Sequence, residues 1–170
     1  MRDMVLTMAL IVVPILVVLW LMPSNTPKTA VAPVSNADYQ AMLTAARSQL
    51  PFEALSPTGL PGGWELTSDE YEPAGDTAAE WRLGYLTTSG KYAAFTQTTE
   101  SVAQYLGDQG SDATQSGTVT VAGRSWLHYT GTTPGALKTL LFLQNGKSLE
   151  VVAGSASLAD LEMLAGSLQS

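Results

Sequence analysis

A chain of 170 residues, 14% charged and 45% hydrophobic, has room for one ordinary domain plus an appendage and is too apolar for intrinsic disorder. Its formal net charge is -7, to which Arg2 and Asp3 together add nothing, so it lacks the basic footprint that a nucleic-acid binder needs. With no cysteine, the chain has no disulfides, thiolate catalysis or cysteine-held zinc or iron–sulfur centre, and an exported domain must rely on its apolar core.

Residues 4–22 read MVLTMALIVVPILVVLWLM, without a charge and with only Thr7 polar. As a helix this stretch rises about 28 Å, close to a hydrocarbon thickness of roughly 30 Å. Its twelve Val, Leu and Ile side chains favour insertion by about 4–7 kcal/mol. Pro14 kinks such a helix but is tolerated in lipid. Arg2 and Trp20 suit the two interfaces, and Pro23 ends the span. The run is longer than the core of a cleaved signal peptide, and the small-x-small site Ala30-Val31-Ala32 is followed by Pro33, which disfavours cleavage. The expectation is an uncleaved signal anchor. Residues 1–3 are expected in the cytoplasm and the acidic bulk outside it, which makes a single-pass protein of the plasma membrane.

Residues 23–35 carry three prolines and no apolar periodicity. They read as a tether, about 40 Å long if fully extended as polyproline. A domain over 36–170 follows. Its first element is a helix capped by Ser35 with Asp38, placing Tyr39, Met42, Leu43, Ala46 and Leu50 on one face until Pro51 stops it. A turn holding Gly59, Gly62 and Gly63 leads into a strand over 64–71, then an acidic loop and a strand over 81–88.

Three hairpins follow from short turns. Ser89-Gly90 joins 81–88 to 91–98, Ala122-Gly123 joins 118–121 to 124–130, and Asn145-Gly146 joins 137–144 to 147–153. Centring the last turn on Asn145-Gly146 sets Phe142 opposite Leu149 and Leu140 opposite Val151. Leu141, Leu143 and Val152 make its other face apolar too, so this hairpin is expected at the centre of the sheet. Two more helices are expected, one over 100–109 with Val102, Tyr105 and Leu106, and one over 158–169 with Leu161, Leu164 and Leu168. Ser157 and Asp160 cap the latter. The fold class is α+β: an antiparallel sheet of about 6–7 strands packed by about three helices.

Candidate chemistry is thin. His128 lies on a strand with no Ser–His–Asp spacing around it and reads as an ordinary sheet histidine. Asp69, Glu70, Glu72 and Asp76, with Glu80 nearby, offer hard oxygen ligands, but they follow no calcium-loop pattern and read first as solvated charge; no metal or other cofactor is expected. The glycines around Trp64 precede a strand, so no helix N-terminus follows to hold a phosphate. Trp64, Trp81, Tyr85 and Trp126 lie on expected strands and could line an apolar ligand pocket, though strand aromatics are more often core.

Several stretches together carry a family resemblance over nearly the whole chain. They are Arg2-Asp3-Met4, Pro51-Phe52, Gly59-Leu60-Pro61-Gly62-Gly63-Trp64, Gly84-Tyr85-Leu86, Gly90-Lys91-Tyr92, Gly117-Thr118-Val119, Gly123-Arg124 and Gly154-Ser155-Ala156-Ser157. The chain resembles the actinobacterial family called domain of unknown function 4245. That resemblance implies a small membrane-anchored protein of high-GC Gram-positive bacteria, and it implies no activity, cofactor or catalytic residue. The turn into Trp64 also resembles the start of envelope-sensing and lipid-carrier domains. The first expectation is therefore a non-enzymatic binding or interaction module of the cell envelope. The alternative is a carrier or sensor of a lipid or other apolar ligand, with a hydrolase last. Expected partners are the bilayer, through 4–22, and an envelope protein or apolar ligand, not nucleic acid.

Overall fold

Helix α1 (Asn36–Gln49) starts where the Ser35 hydroxyl accepts from the Asp38 amide, and its amide ladder ends as Leu50 N–H donates to Ala46 O at 2.9 Å. A computed structural model of the chain describes residues 33–109, 112–132 and 138–170. The chain divides into two units, 1–31 and 32–170. The span over 4–22, with Arg2 and Trp20, lies outside the described residues, as does most of the tether. Among the described residues no helix is long and apolar enough to cross a membrane.

After α1 come β1 (Ser56–Pro57), β2 (Glu65–Glu72), β3 (Glu80–Leu86) and β4 (Tyr92–Thr98), then α2 (Val102–Asp108). The second half holds β5 (Thr114–Val121), β6 (Arg124–Thr130), β7 (Thr139–Asn145), β8 (Ser148–Gly154), α3 (Leu158–Ser167) and β9 (Leu168–Gln169). Seven strands form one antiparallel sheet in the order β2-β3-β4-β8-β7-β6-β5. Two hairpin-linked runs thus meet where β8 pairs with β4. Every residue of β8 is buried, and β8 is the middle strand, as its two apolar faces require. Strands β1 and β9 pair as a separate two-stranded sheet that closes the C-terminus onto the segment after α1. The α+β class, the antiparallel sheet and the three helices all match the sequence expectation.

Two cores flank the sheet. On one face Trp81, Leu83, Phe95, Leu141 and Val152 pack with Leu43 and Ala46 of α1 and Leu161 and Leu164 of α3. On the other, Leu140, Phe142, Leu149 and Val151 pack with Tyr105 of α2, and Phe142 meets Tyr105 and Tyr129 edge-on at 5.8 and 5.1 Å. Both shorter helices carry full capping boxes, Ser101 with Gln104 and Ser157 with Asp160.

The expected register of the last hairpin needs correction. Phe142 faces Val151 rather than Leu149, and Leu140 faces Ala153 rather than Val151. The turn is centred on Gly146-Lys147, one residue later than expected, with Asn145 paired to Ser148. Only Gly146 has positive φ (58°), the pattern of a type II′ turn, so Asn145 is spared a left-handed conformation. Moving the turn by one residue slides each partner by two, which keeps every side chain on its expected face. Elsewhere, β5 begins at Thr114 rather than 118, and β2 runs one residue past the expected strand end, to Glu72.

The turn between β5 and β6 has Ala122 at φ 49° and Gly123 at φ 77°, a type I′ turn carrying alanine where asparagine is favoured. Ala122→Asn is expected to raise unfolding free energy by about 0.5 kcal/mol. An unchanged or lower urea midpoint would contradict that assignment.

Candidate functional site

The most distinctive polar cluster lies at the margin of the first core, where α1 crosses β2 and β3. A β-bulge between Leu66 and Ser68 shifts the β2–β3 register. Without it, Leu66 and Asp69, three residues apart, would face opposite sides of the sheet; with it, both face α1. Leu66 therefore pairs with Tyr85, Asp69 with Leu83 and Tyr71 with Trp81, all toward one core. Bulges of this kind re-aim a side chain beside functional sites.

Asp69 is partly exposed as a residue, yet its Oδ2 is closed off from solvent and has no hydrogen-bond partner among the described residues. The phenols of Tyr39 and Tyr85 share its face of the sheet. Tyr85 is buried, and the Trp64 ring lies 6.3 Å from it at a 53° tilt. From α1, the Tyr39 hydroxyl hydrogen-bonds the Ser56 hydroxyl. Gln49 Nε2 donates to the Tyr71 hydroxyl at 2.9 Å, closing the far side. Val34 N–H donates to Leu66 O at 2.8 Å, so the end of the predicted tether docks along β2 and the folded part begins before residue 36.

Burial pushes the Asp69 carboxyl above the usual carboxylate range and the Asp38 charge adds to it, against a hydrogen bond from Asp69's own backbone. Burial likewise raises the Tyr39 hydroxyl, opposed by its Ser56 hydrogen bond, and raises Tyr85 still further, helped by Tyr39 and Asp69. Both phenols are therefore protonated donors at neutral pH. Glu80 and Glu100 are raised in the same sense by burial, in Glu80 against the pull of Arg82 at 2.8 Å. A carboxyl whose pKa is higher folded than unfolded binds more protons in the folded state between those two values, so stability falls as pH rises through that window. The domain is expected to unfold at lower urea at about pH 7 than at about pH 4, where the ordinary carboxylate titration begins. Asp69→Asn should flatten part of that slope, and an identical slope would remove Asp69 from the account.

The four aromatic residues expected to line a pocket divide into two groups. Trp64 and Tyr85 come together in this cluster. Trp81, fully buried, donates its indole N–H to Leu55 O at 2.9 Å and serves the core. Trp126 is also fully buried, on β6, four strand spacings or about 19 Å from β3. Its Nε1 has no partner among the described residues, and the Arg124 guanidinium lies 5.5 Å from its ring centre. Arg124 also pairs with the fully buried Glu150, whose other oxygen accepts from Asn145 Nδ2 at 2.7 Å.

The acidic residues do not converge. Asp69 and Glu70 alternate across β2, and Asp76 lies in the β2–β3 loop. No three acidic or histidine side chains among the described residues are placed to hold a metal ion. His128, partly exposed on β6, pairs across the backbone with Leu141 and Gly117, and its ring has no acid partner among the described residues.

Tyr39 and Asp69 form the part of the cluster that sequence reasoning missed. Tyr39 reads as one more apolar position of α1, and Asp69 as one of a run of acids. The bulge that turns Asp69 toward Tyr39 has no glycine to announce it.

No curated protein matches the chain. The model of a family described as protein of unknown function (DUF4245) matches residues 1–168. Nearly the whole chain is covered, and the protein belongs to the DUF4245 family.

Proposed function

We propose that this protein is a non-enzymatic binding module of the cell envelope, whose Trp64–Tyr85–Tyr39–Asp69 face recognises a cationic group on its partner. The observation that carries this reading is the solvent-shielded Oδ2 of Asp69, which has no partner among the described residues and faces the same core as the protonated phenols of Tyr39 and Tyr85. A shielded carboxylate oxygen left without a donor is costly, and it becomes favourable once a charged donor reaches it. Aromatic rings beside it add attraction for an ammonium or guanidinium group. Neither a nucleophile–base pair nor an oxyanion cradle accompanies these groups, so recognition suits them better than catalysis.

In this reading residues 4–22 hold the domain at the plasma membrane with its C-terminal bulk outside the cytoplasm. An alkaline-phosphatase fusion at the C-terminus tests that placement: activity supports it, and an inactive, cytoplasmic fusion overturns it. The alternative, a carrier of an apolar ligand, needs an interior space, and Trp81, Phe95, Phe142 and Trp126 occupy the two cores at 1% exposure or less. The binding reading is tested by native mass spectrometry of the full chain released from membranes. A bound amine-bearing molecule or basic protein, retained by the wild type and lost from Asp69→Asn, is the expected result. Retention of a neutral lipid by both would favour the carrier instead.

A further inference from the structure

The two edges of the sheet are built differently. Edge strand β2 carries Glu65, Asp69, Glu70 and Glu72, with Asp69 turned inward and Val34 bonded along it. Charges, an inward acid and a covering segment are the devices by which proteins keep an edge from pairing with another chain. Edge strand β5, TQSGTVTV, has no charge and no proline, and all but its last two apolar positions are exposed. Its one irregularity is the bulge between Gln115 and Gly117, which leaves 117–121 straight. Beside it, Leu127 of β6 is one of two large apolar side chains exposed among the described residues.

We infer that β5 is the self-association edge of this protein, pairing antiparallel with β5 of a second copy about a two-fold axis. Charge placement selects this occupant. Residues 65–82 hold six carboxylates and one arginine, whereas residues 114–130 hold no carboxylate and a single arginine. Pairing through β5 sets the acidic edges at the outer ends of a continuous sheet, each about 29 Å from the junction and beyond the screening length. Pairing through β2 would oppose them. The strand also complements itself, because a two-fold axis normal to the sheet keeps faces: Thr118 and Thr120 share one face with their copies, and Val119 and Val121 share the other with theirs. This inference is independent of the Asp69 face.

The axis forces one residue of β5 to lie directly opposite its own copy, with Cα atoms about 4.5–5.5 Å apart, within disulfide reach. Because the chain has no cysteine, a single introduced one reports that position alone. Single cysteines placed in turn at Thr114, Gln115, Ser116, Thr118, Val119, Thr120 and Val121 of the purified full chain would be oxidised with copper phenanthroline. Disulfide-linked dimer is expected to peak at one position and fall away on both sides, with Glu70→Cys on β2 giving none. Adding Thr118→Lys to the peak variant should cut dimer at least about fivefold, since an edge lysine blocks pairing, while leaving the melting temperature unchanged. No peak along β5, equal yield from Glu70→Cys, or a yield indifferent to Thr118→Lys would overturn the inference.

Discussion

Gly154→Ala is expected to destabilise the protein by about 3 kcal/mol or more, the largest loss from adding a single methyl group anywhere in the sheet. A Cβ at Gly154 would fall well inside contact with the Tyr92 carbonyl oxygen and 3.0 Å from Ala93 Cα. Both obstacles are backbone atoms of β4, the strand beside β8, so neither can swing aside. The same carbonyl accepts from Ser155 N–H at 2.9 Å and Ala156 N–H at 3.0 Å, which turns the chain out of β8 toward α3. Moving it would disturb the joint between the two hairpin runs. Gly84→Ala is the useful contrast. There the nearest atoms are the side-chain ends of Ser68 and Tyr92, which can rotate away, so the loss should be nearer about 1 kcal/mol. Urea unfolding checks both, and equal losses would contradict the argument.

The second large effect is expected at Arg124. Glu150 is fully buried in the middle strand and is held by Arg124 and by Asn145. Removing one partner of a buried ion pair leaves an uncompensated charge, which typically costs 3–5 kcal/mol. The Arg124 side chain is 37% exposed, so water can replace part of it and the low end, about 3 kcal/mol, is expected for Arg124→Ala. Glu150→Gln in the Arg124→Ala background should recover more than about 1 kcal/mol, because the neutral amide no longer needs a cation. A double-mutant cycle in urea measures this directly. If the two losses simply add, the pair is not coupled and Arg124 acts only through its packing on Trp126.

Much of this architecture was legible because the patterns that encode it are local. Ser35 and Ser157 sit at helix starts and cap them, and the glycines of the short turns fix hairpins by requiring positive φ. The doubly apolar runs of the β7–β8 hairpin mark it as central, and β8 is the middle strand. The missed features depend on distant partners. Glu150, set in an apolar strand, makes sense only once Arg124 lies beside it, 26 residues away in sequence. The small β1–β9 sheet joins two-residue strands that carry no period at all. Trp81 and Trp126 resemble ligand-lining aromatics in sequence, and their burial in the core emerges only from the packing of α1 and α3 over them. Of the recognition face, Trp64 and Tyr85 could be picked out in advance, whereas Asp69 was hidden by its acidic neighbours.

A cationic group bound at Asp69 would alter the surroundings of Tyr85 and so of the Trp64 ring 6.3 Å from it, and Trp64 fluorescence tests the proposed recognition most directly. Titrating the full chain with n-butylammonium should give a saturable change in emission that disappears in Asp69→Asn and in Trp64→Phe, while n-butanol of the same length gives none. A change of equal size in Asp69→Asn, or an equal response to the alcohol, would contradict a cation site and leave Asp69 as no more than an inward charge guarding an edge strand.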